Sequence, residues 1–129
     1  MLFWLLVAIV VYYAQVFTPA IFKFLSVGVG SYLGSRDDMP ALTGIPARLE
    51  RATDNMKENF PVFATLAVVA LTFGFGDNPQ AVLGAQIFVI ARLLYIPLYA
   101  FAIPLIRSGA AVAGWVGLIL MAMPLLTLI

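Results

Sequence analysis

Four stretches long and apolar enough to cross a lipid bilayer follow one another in this chain of 129 residues and leave room for little else. A helix needs roughly 20 apolar residues to span the hydrocarbon core. The four stretches cover residues 2–27, 46–75, 79–106 and 110–129. In hydrocarbon every backbone N–H and C=O must find its partner within the protein, so such segments are helices or the strands of a closed barrel. None of them alternates apolar and polar residues at period two, which excludes the barrel. The expected fold is all-α, a transmembrane four-helix bundle forming one domain over residues 1–129.

Composition agrees. Apolar residues make up 64% of the chain and charged residues 10%, with a mean hydropathy of +1.06. Soluble domains are nearer half apolar and a quarter charged, and a chain this short has too little interior to hide the excess from water. Cysteine and histidine are both absent. That removes disulfides, thiolate nucleophiles and Cys-based metal sites, together with the commonest metal ligand and general base. A net charge of +1, scattered along the chain, gives no footprint for nucleic acid. Residues 1–16 lack the basic start and the small-residue cleavage pattern of a signal peptide, so they read as a retained first helix.

Three connections remain. Residues 28–45 form the longest, rich in Gly, Ser, Asp and Pro. Gly76, Asp77, Asn78 and Pro79 form a tight turn in which Asn78 caps the third helix and Pro79 takes its first position. Arg107, Ser108 and Gly109 form the shortest. Lys23, Arg36, Arg48, Arg51, Lys57 and Arg107 lie in or near the first and third connections, whereas the second carries only Asp77. The positive-inside rule then places the first and third connections in the cytoplasm and both termini on the other side.

The second helix carries charge where lipid should be. Arg51, Asn55 and Glu58 are spaced i, i+4, i+7 and share one helical face, which Arg48 extends outward. On the third helix Arg92, Tyr95 and Tyr99 share a face in the same way. At about 1.5 Å of rise per residue, Arg51, Asn55 and Glu58 lie roughly 8, 14 and 18 Å inward from Pro46. Tyr99, Tyr95 and Arg92 lie roughly 12, 18 and 22 Å inward from Arg107. The ladders overlap in depth, and Glu58 with Arg92 is the expected buried ion pair. A charge near mid-membrane costs about 2.5–3.5 kcal/mol even on the lenient insertion scale, so it faces the bundle interior, a cavity or another charge. One ion pair would suit simple helix packing. A ladder from Arg48 to Arg107 is more than packing needs, and it suits a cleft that holds an anionic, multi-carboxylate ligand.

These residues resemble a known family. Arg51, Ala52, Asn55, Glu58 and Pro61 fit the R-A-x-x-N-x-x-E-x-x-P pattern in the second helix of the MAPEG family, the membrane-associated proteins in eicosanoid and glutathione metabolism. Arg92, Tyr95 and Tyr99 resemble its third-helix R-x-x-Y-x-x-x-Y element. Residues 34–37 resemble the Gly-Ser-Arg-Asp stretch of small bacterial members. The resemblance spans essentially the whole chain. It implies a homotrimer in the cell inner membrane, with a glutathione site between neighbouring protomers. Arg51, Asn55, Glu58, Arg92, Tyr95 and Tyr99 would line that site. Arg107 would be the catalytic arginine that stabilises the glutathione thiolate. A cation beside a sulfur lowers its pKa, and the thiolate is the nucleophile.

The remaining features read more simply. Asp37 and Asp38 suit a solvated turn better than a metal site. Gln15 and Pro19 mark a kink or a helix contact. Trp4 suits an interfacial anchor, and both Trp4 and Trp115 are expected away from the polar ladder. Gly109, Gly114 and Gly117 suit close helix packing, while Asp54 and Lys57 fall off the ladder face. Two functions stay open: a glutathione transferase or peroxidase acting on lipophilic electrophiles, and a non-catalytic subunit that binds lipid or scaffolds a larger membrane complex. A transporter ranks behind both, since no inverted repeat is present.

Overall fold

The computed structural model describes residues 1–34, 40–101 and 104–129, the side chains of Ser31, Pro104 and Arg107 excepted. Its described residues form helices joined by short connections: α1 (Leu2–Leu33), α2 (Gly44–Thr72), α3 (Pro79–Ala100), α4 (Pro104–Ala122) and a terminal 3₁₀ turn, Met123–Leu128. α1, α3 and the segment Ser108–Leu128 are each long and apolar enough to cross a membrane, and in the windows of α1 and Ser108–Leu128 only 22% of residues are buried within the protomer. Their outer surfaces carry Phe3, Leu6, Val10, Phe17, Ile119 and Leu126, all more than half exposed. That surface is stable only against lipid or another apolar surface. α2 falls outside this group because its first half carries Arg48, Glu50, Arg51, Asp54, Lys57 and Glu58.

The turn before α3 forms as its residues dictate. Asn78 Oδ1 accepts from the backbone N–H groups of Gln80 (3.0 Å) and Ala81 (3.1 Å), and Pro79 needs no acceptor. The far end of α3 differs from expectation. The helix stops at Ala100 instead of continuing to 106, and Arg107, Ser108 and Gly109 lie inside α4. Pro104 supplies the reason. It has no N–H for the carbonyl of Ala100, and it disfavours helical backbone at the residue before it. The freed carbonyl accepts from Arg48 Nη1 of α2 at 2.8 Å, a favourable place for a cation at a helix C-terminus. α1 in turn continues past residue 27. Gly28 interrupts it with φ +76°, ψ 169°, a backbone state that glycine alone adopts cheaply, and helix resumes to Leu33.

α3 and α4 pack closest. A Cβ on Gly84 would stand 2.5 Å from the carbonyl oxygen of Gly117, and one on Gly117 would stand 2.6 Å from that of Gly84. Small residues are what let two backbones approach in this way. Gly114 also belongs to the seam, but a Cβ on Gly109 would meet nothing within 4 Å, so Gly109 has no packing role among the described residues. The rest of the core is an aromatic stack across three helices: Tyr12 on Phe60 (4.6 Å between centroids), Phe60 beside Phe63 (6.4 Å) and Phe63 on Phe88 (4.5 Å).

Candidate functional site

A polar chain runs through the middle of this apolar bundle and touches all four helices. It begins at Pro19, whose missing N–H leaves the carbonyl of Gln15 without its helical partner. Thr53 of α2 repairs this in part, its hydroxyl 2.8 Å from Gln15 O and 2.9 Å from Leu49 O, so that one proton is shared between the two carbonyls. The Gln15 side chain, 4% exposed, donates through Nε2 to the carbonyl of Arg92 on α3 at 3.2 Å. Arg92 donates through Nη1 to Asn55 Oδ1. Asn59 Nδ2 donates to the carbonyl of Asn55 at 2.8 Å, and Trp115 Nε1 of α4 donates to Asn59 Oδ1 at 3.0 Å. Bonds of this kind make buried polar groups tolerable in hydrocarbon.

Arg92 is the centre of that chain. It is 1% exposed and the largest fully buried side chain among the described residues. Its guanidinium lies 5.0 Å from the centroid of Phe88 and 5.8 Å from that of Tyr95, where the negative ring faces compensate part of its lost hydration. A Cβ on residue 114 would stand 2.9 Å from Nη2, so Gly114 makes the room the cation occupies. Nε and Nη2 have no hydrogen-bond partner among the described residues.

This arrangement corrects one expectation. Glu58 and Arg92 form no ion pair: Arg92 pairs with Asn55, and Glu58 is exposed on the outer face of α2. The reason is rotational. Glu58 is three residues beyond Asn55, about 300° around the helix, and that turns it away from α3. Trp115 corrects a second expectation, because it joins the polar chain instead of lying apart from it. Asn59 had a legible signal, one turn beyond Asn55 on the inward side. Trp115 had none, since its partner is 56 residues away.

Outside the sealed core the ladder continues on the surface of the protomer. Arg51 is exposed, with its guanidinium 5.9 Å from the centroid of Tyr99, and Tyr99 lies 5.3 Å from Tyr95. Asp54 and Lys57 pair with each other at 3.1 Å, both at least half exposed. Tyr95, Tyr99, Ser108, Ala111, Val112 and Trp115 line an open groove of about 340 Å³ between α3 and α4. Arg36, Asp37, Asp38 and the side chain of Arg107 lie outside the described residues. The structure thus joins Asn55, Arg92 and Tyr95 in the core, sets Arg51 and Tyr99 at its edge, and leaves Glu58 by itself.

The depth of Glu58 follows from the Arg92–Asn55 bond. Arg92 is eight residues from the end of α3, about 12 Å, and Glu58 lies about 4.5 Å deeper than Asn55. Glu58 is therefore about 16 Å inward from the end of α3, roughly half the thickness of a hydrocarbon layer. An exposed carboxylate at that depth cannot face lipid at acceptable cost. Two turns nearer the end of the bundle, the Arg51 guanidinium by Tyr99 and the neighbouring Tyr95 supply donors that suit an anion.

No curated protein and no solved structure matches the chain. The family model of the MAPEG family matches residues 1–127, nearly the full length and every element from which the polar chain is built. This is a membrane protein of four helices that belongs to the MAPEG family.

Proposed function

We propose that this protein is a homotrimer that binds glutathione or a similar thiol between protomers and conjugates or reduces lipophilic electrophiles reaching it through the bilayer. The observation that carries this reading is the exposed Glu58, about 16 Å inward from the end of α3, with exposed Arg51 two turns away on the same helix. Each needs an opposite charge that the protomer's described residues do not supply. A neighbouring protomer removes lipid from that face, and a zwitterionic peptide satisfies both charges. Glu58 accepts from the glutathione ammonium, and Arg51 binds a carboxylate through two parallel N–H···O bonds. Asn55 presents this face in a fixed orientation because Arg92 holds its side chain from behind. Arg92 is thus a positioning residue, since its burial keeps it from a ligand outside the protomer.

Tyr95 and Tyr99 lie where the charged face meets the groove beside Trp115. The polar end of the groove suits the thiol, and its apolar wall of Ala111, Val112 and Trp115 suits the electrophile. Arg107 belongs to the first turn of α4 and is assigned the thiolate. Its cation lowers the thiol pKa, the proton leaves to solvent, and the sulfur lone pair forms the new S–C bond as the leaving group departs.

The test is glutathione binding to the purified protein. Glutathione at about ten times its Kd adds roughly 1.4 kcal/mol of stability, seen as a raised Tm together with ultraviolet thiolate absorbance. Arg51→Ala abolishes both gains. If millimolar glutathione changes neither signal, the transferase reading is wrong. Co-purification in fixed ratio with a larger membrane complex then favours a scaffolding subunit.

A further inference from the structure

A second cavity, of about 320 Å³, opens between α1 and α2 at the same end of the bundle. Val16, Pro19 and Ala20 form its apolar wall, and Lys23, Glu50 and Lys57 form its charged one. Thr53 and Tyr32 complete the lining, and the break at Gly28 explains the presence of Tyr32. Nine residues of straight helix would carry Tyr32 about 13 Å beyond Lys23. The turn at Gly28 instead brings it back into the cavity wall, with its ring 5.7 Å from that of Phe24.

The level of the cavity matters as much as its lining. Lys23 lies 21 residues after Leu2, about 32 Å along α1, which is the thickness of the hydrocarbon layer. Its ammonium, paired with Glu50 at 2.5 Å, therefore stands where lipid phosphates begin. Lys57 is two turns deeper than Glu50, about 10.5 Å, and its ammonium turns back to Asp54 at 3.1 Å, one turn nearer the level of Lys23. Apolar wall below and charges of both signs above match one kind of molecule.

We propose that this cavity binds the headgroup of a phospholipid that carries a primary ammonium. The phosphodiester accepts from Lys23 and Lys57, the ammonium donates to the Glu50 carboxylate, and an acyl chain descends along Val16, Pro19 and Ala20. The site is separate from the glutathione face and does not depend on the thiol chemistry. A quaternary ammonium cannot donate to Glu50, so the site selects ethanolamine over choline headgroups.

The measurement is native mass spectrometry of the delipidated protein in detergent, titrated with phosphatidylethanolamine, phosphatidylcholine or soluble phosphoethanolamine. Phosphatidylethanolamine is expected to bind about fivefold more tightly than phosphatidylcholine, the worth of one half-exposed charged hydrogen bond. Glu50→Gln keeps an acceptor for Lys23 and should reduce that preference to about twofold or less. Lys57→Met should weaken both lipids while leaving the preference in place. Binding of phosphoethanolamine as tight as that of the lipid would assign the cavity to a soluble phosphate ester and overturn the proposal. Equal binding of the two lipids, or displacement of lipid by glutathione, also overturns it. Should Glu50→Gln fail to fold, the wild-type comparison and Lys57→Met decide alone.

Discussion

The two faces of α2 start from the same kind of residues and end differently. On the inner face Thr53, Asn55 and Asn59 each hydrogen-bond within the protomer, and together they reach α1, α3 and α4. On the outer face Arg51 and Glu58, two turns apart, are both exposed, with Asp54 and Lys57 paired to each other. The inner face is built from neutral amides and hydroxyls, which a few hydrogen bonds satisfy. The outer face is built from full charges, which need opposite charges or water. One face serves the fold, and the other needs something beyond the protomer. Polar residues inside a membrane therefore divide by charge type before they divide by position.

The sharpest way to break this division is Asn55→Leu. It leaves the buried Arg92 cation without its acceptor and should cost about 3 kcal/mol in reversible unfolding from mixed micelles. The double variant with Arg92→Met should recover most of that loss, because replacing both partners with apolar groups is close to neutral. A single variant as stable as wild type would show that the inner face is not structural. Trp115→Phe ranks next. It keeps most of the ring but leaves Asn59 Oδ1 without a donor, for a loss of about 1 kcal/mol in the same assay. Glu58→Gln should move protomer stability least, within about 0.5 kcal/mol, while removing the stabilisation by glutathione. A loss above about 1 kcal/mol without glutathione would make the outer face part of the fold after all.

The start of α3 and its end show why some of this was legible and some was not. Asn78 and Pro79 act on groups two or three residues away, so reading them needs only local chemistry. The end of α3 differs from the expected one because glycine and proline compete as helix breakers there. Gly109 is tolerated inside α4, whereas Pro104 removes a hydrogen bond outright and sets the boundary. At the candidate site, spacing places Asn55, Tyr95 and Arg92 roughly 14, 18 and 22 Å inward, and the earlier end of α3 at Ala100 is what brings Arg92 level with Asn55. Depth and charge point to Glu58 as the partner of Arg92, whereas Asn55 takes that place, because the outcome depends on how α2 is rotated against α3.

Sequence by itself determined the solvent, the number of helices and the residues that carry charge into the membrane. These follow from composition and from a backbone that must satisfy itself in hydrocarbon. Tertiary structure alone decided that Arg92 pairs with Asn55, that Thr53 reaches the Gln15 carbonyl freed by Pro19, and that Trp115 closes the polar chain. Gly114 and the Gly84–Gly117 crossing set how near α4 comes to α3, and with it the space left for a guanidinium. The three hydrogen bonds join residues 37 to 56 positions apart; they form only when helix rotation and approach distance are fixed, and packing fixes both.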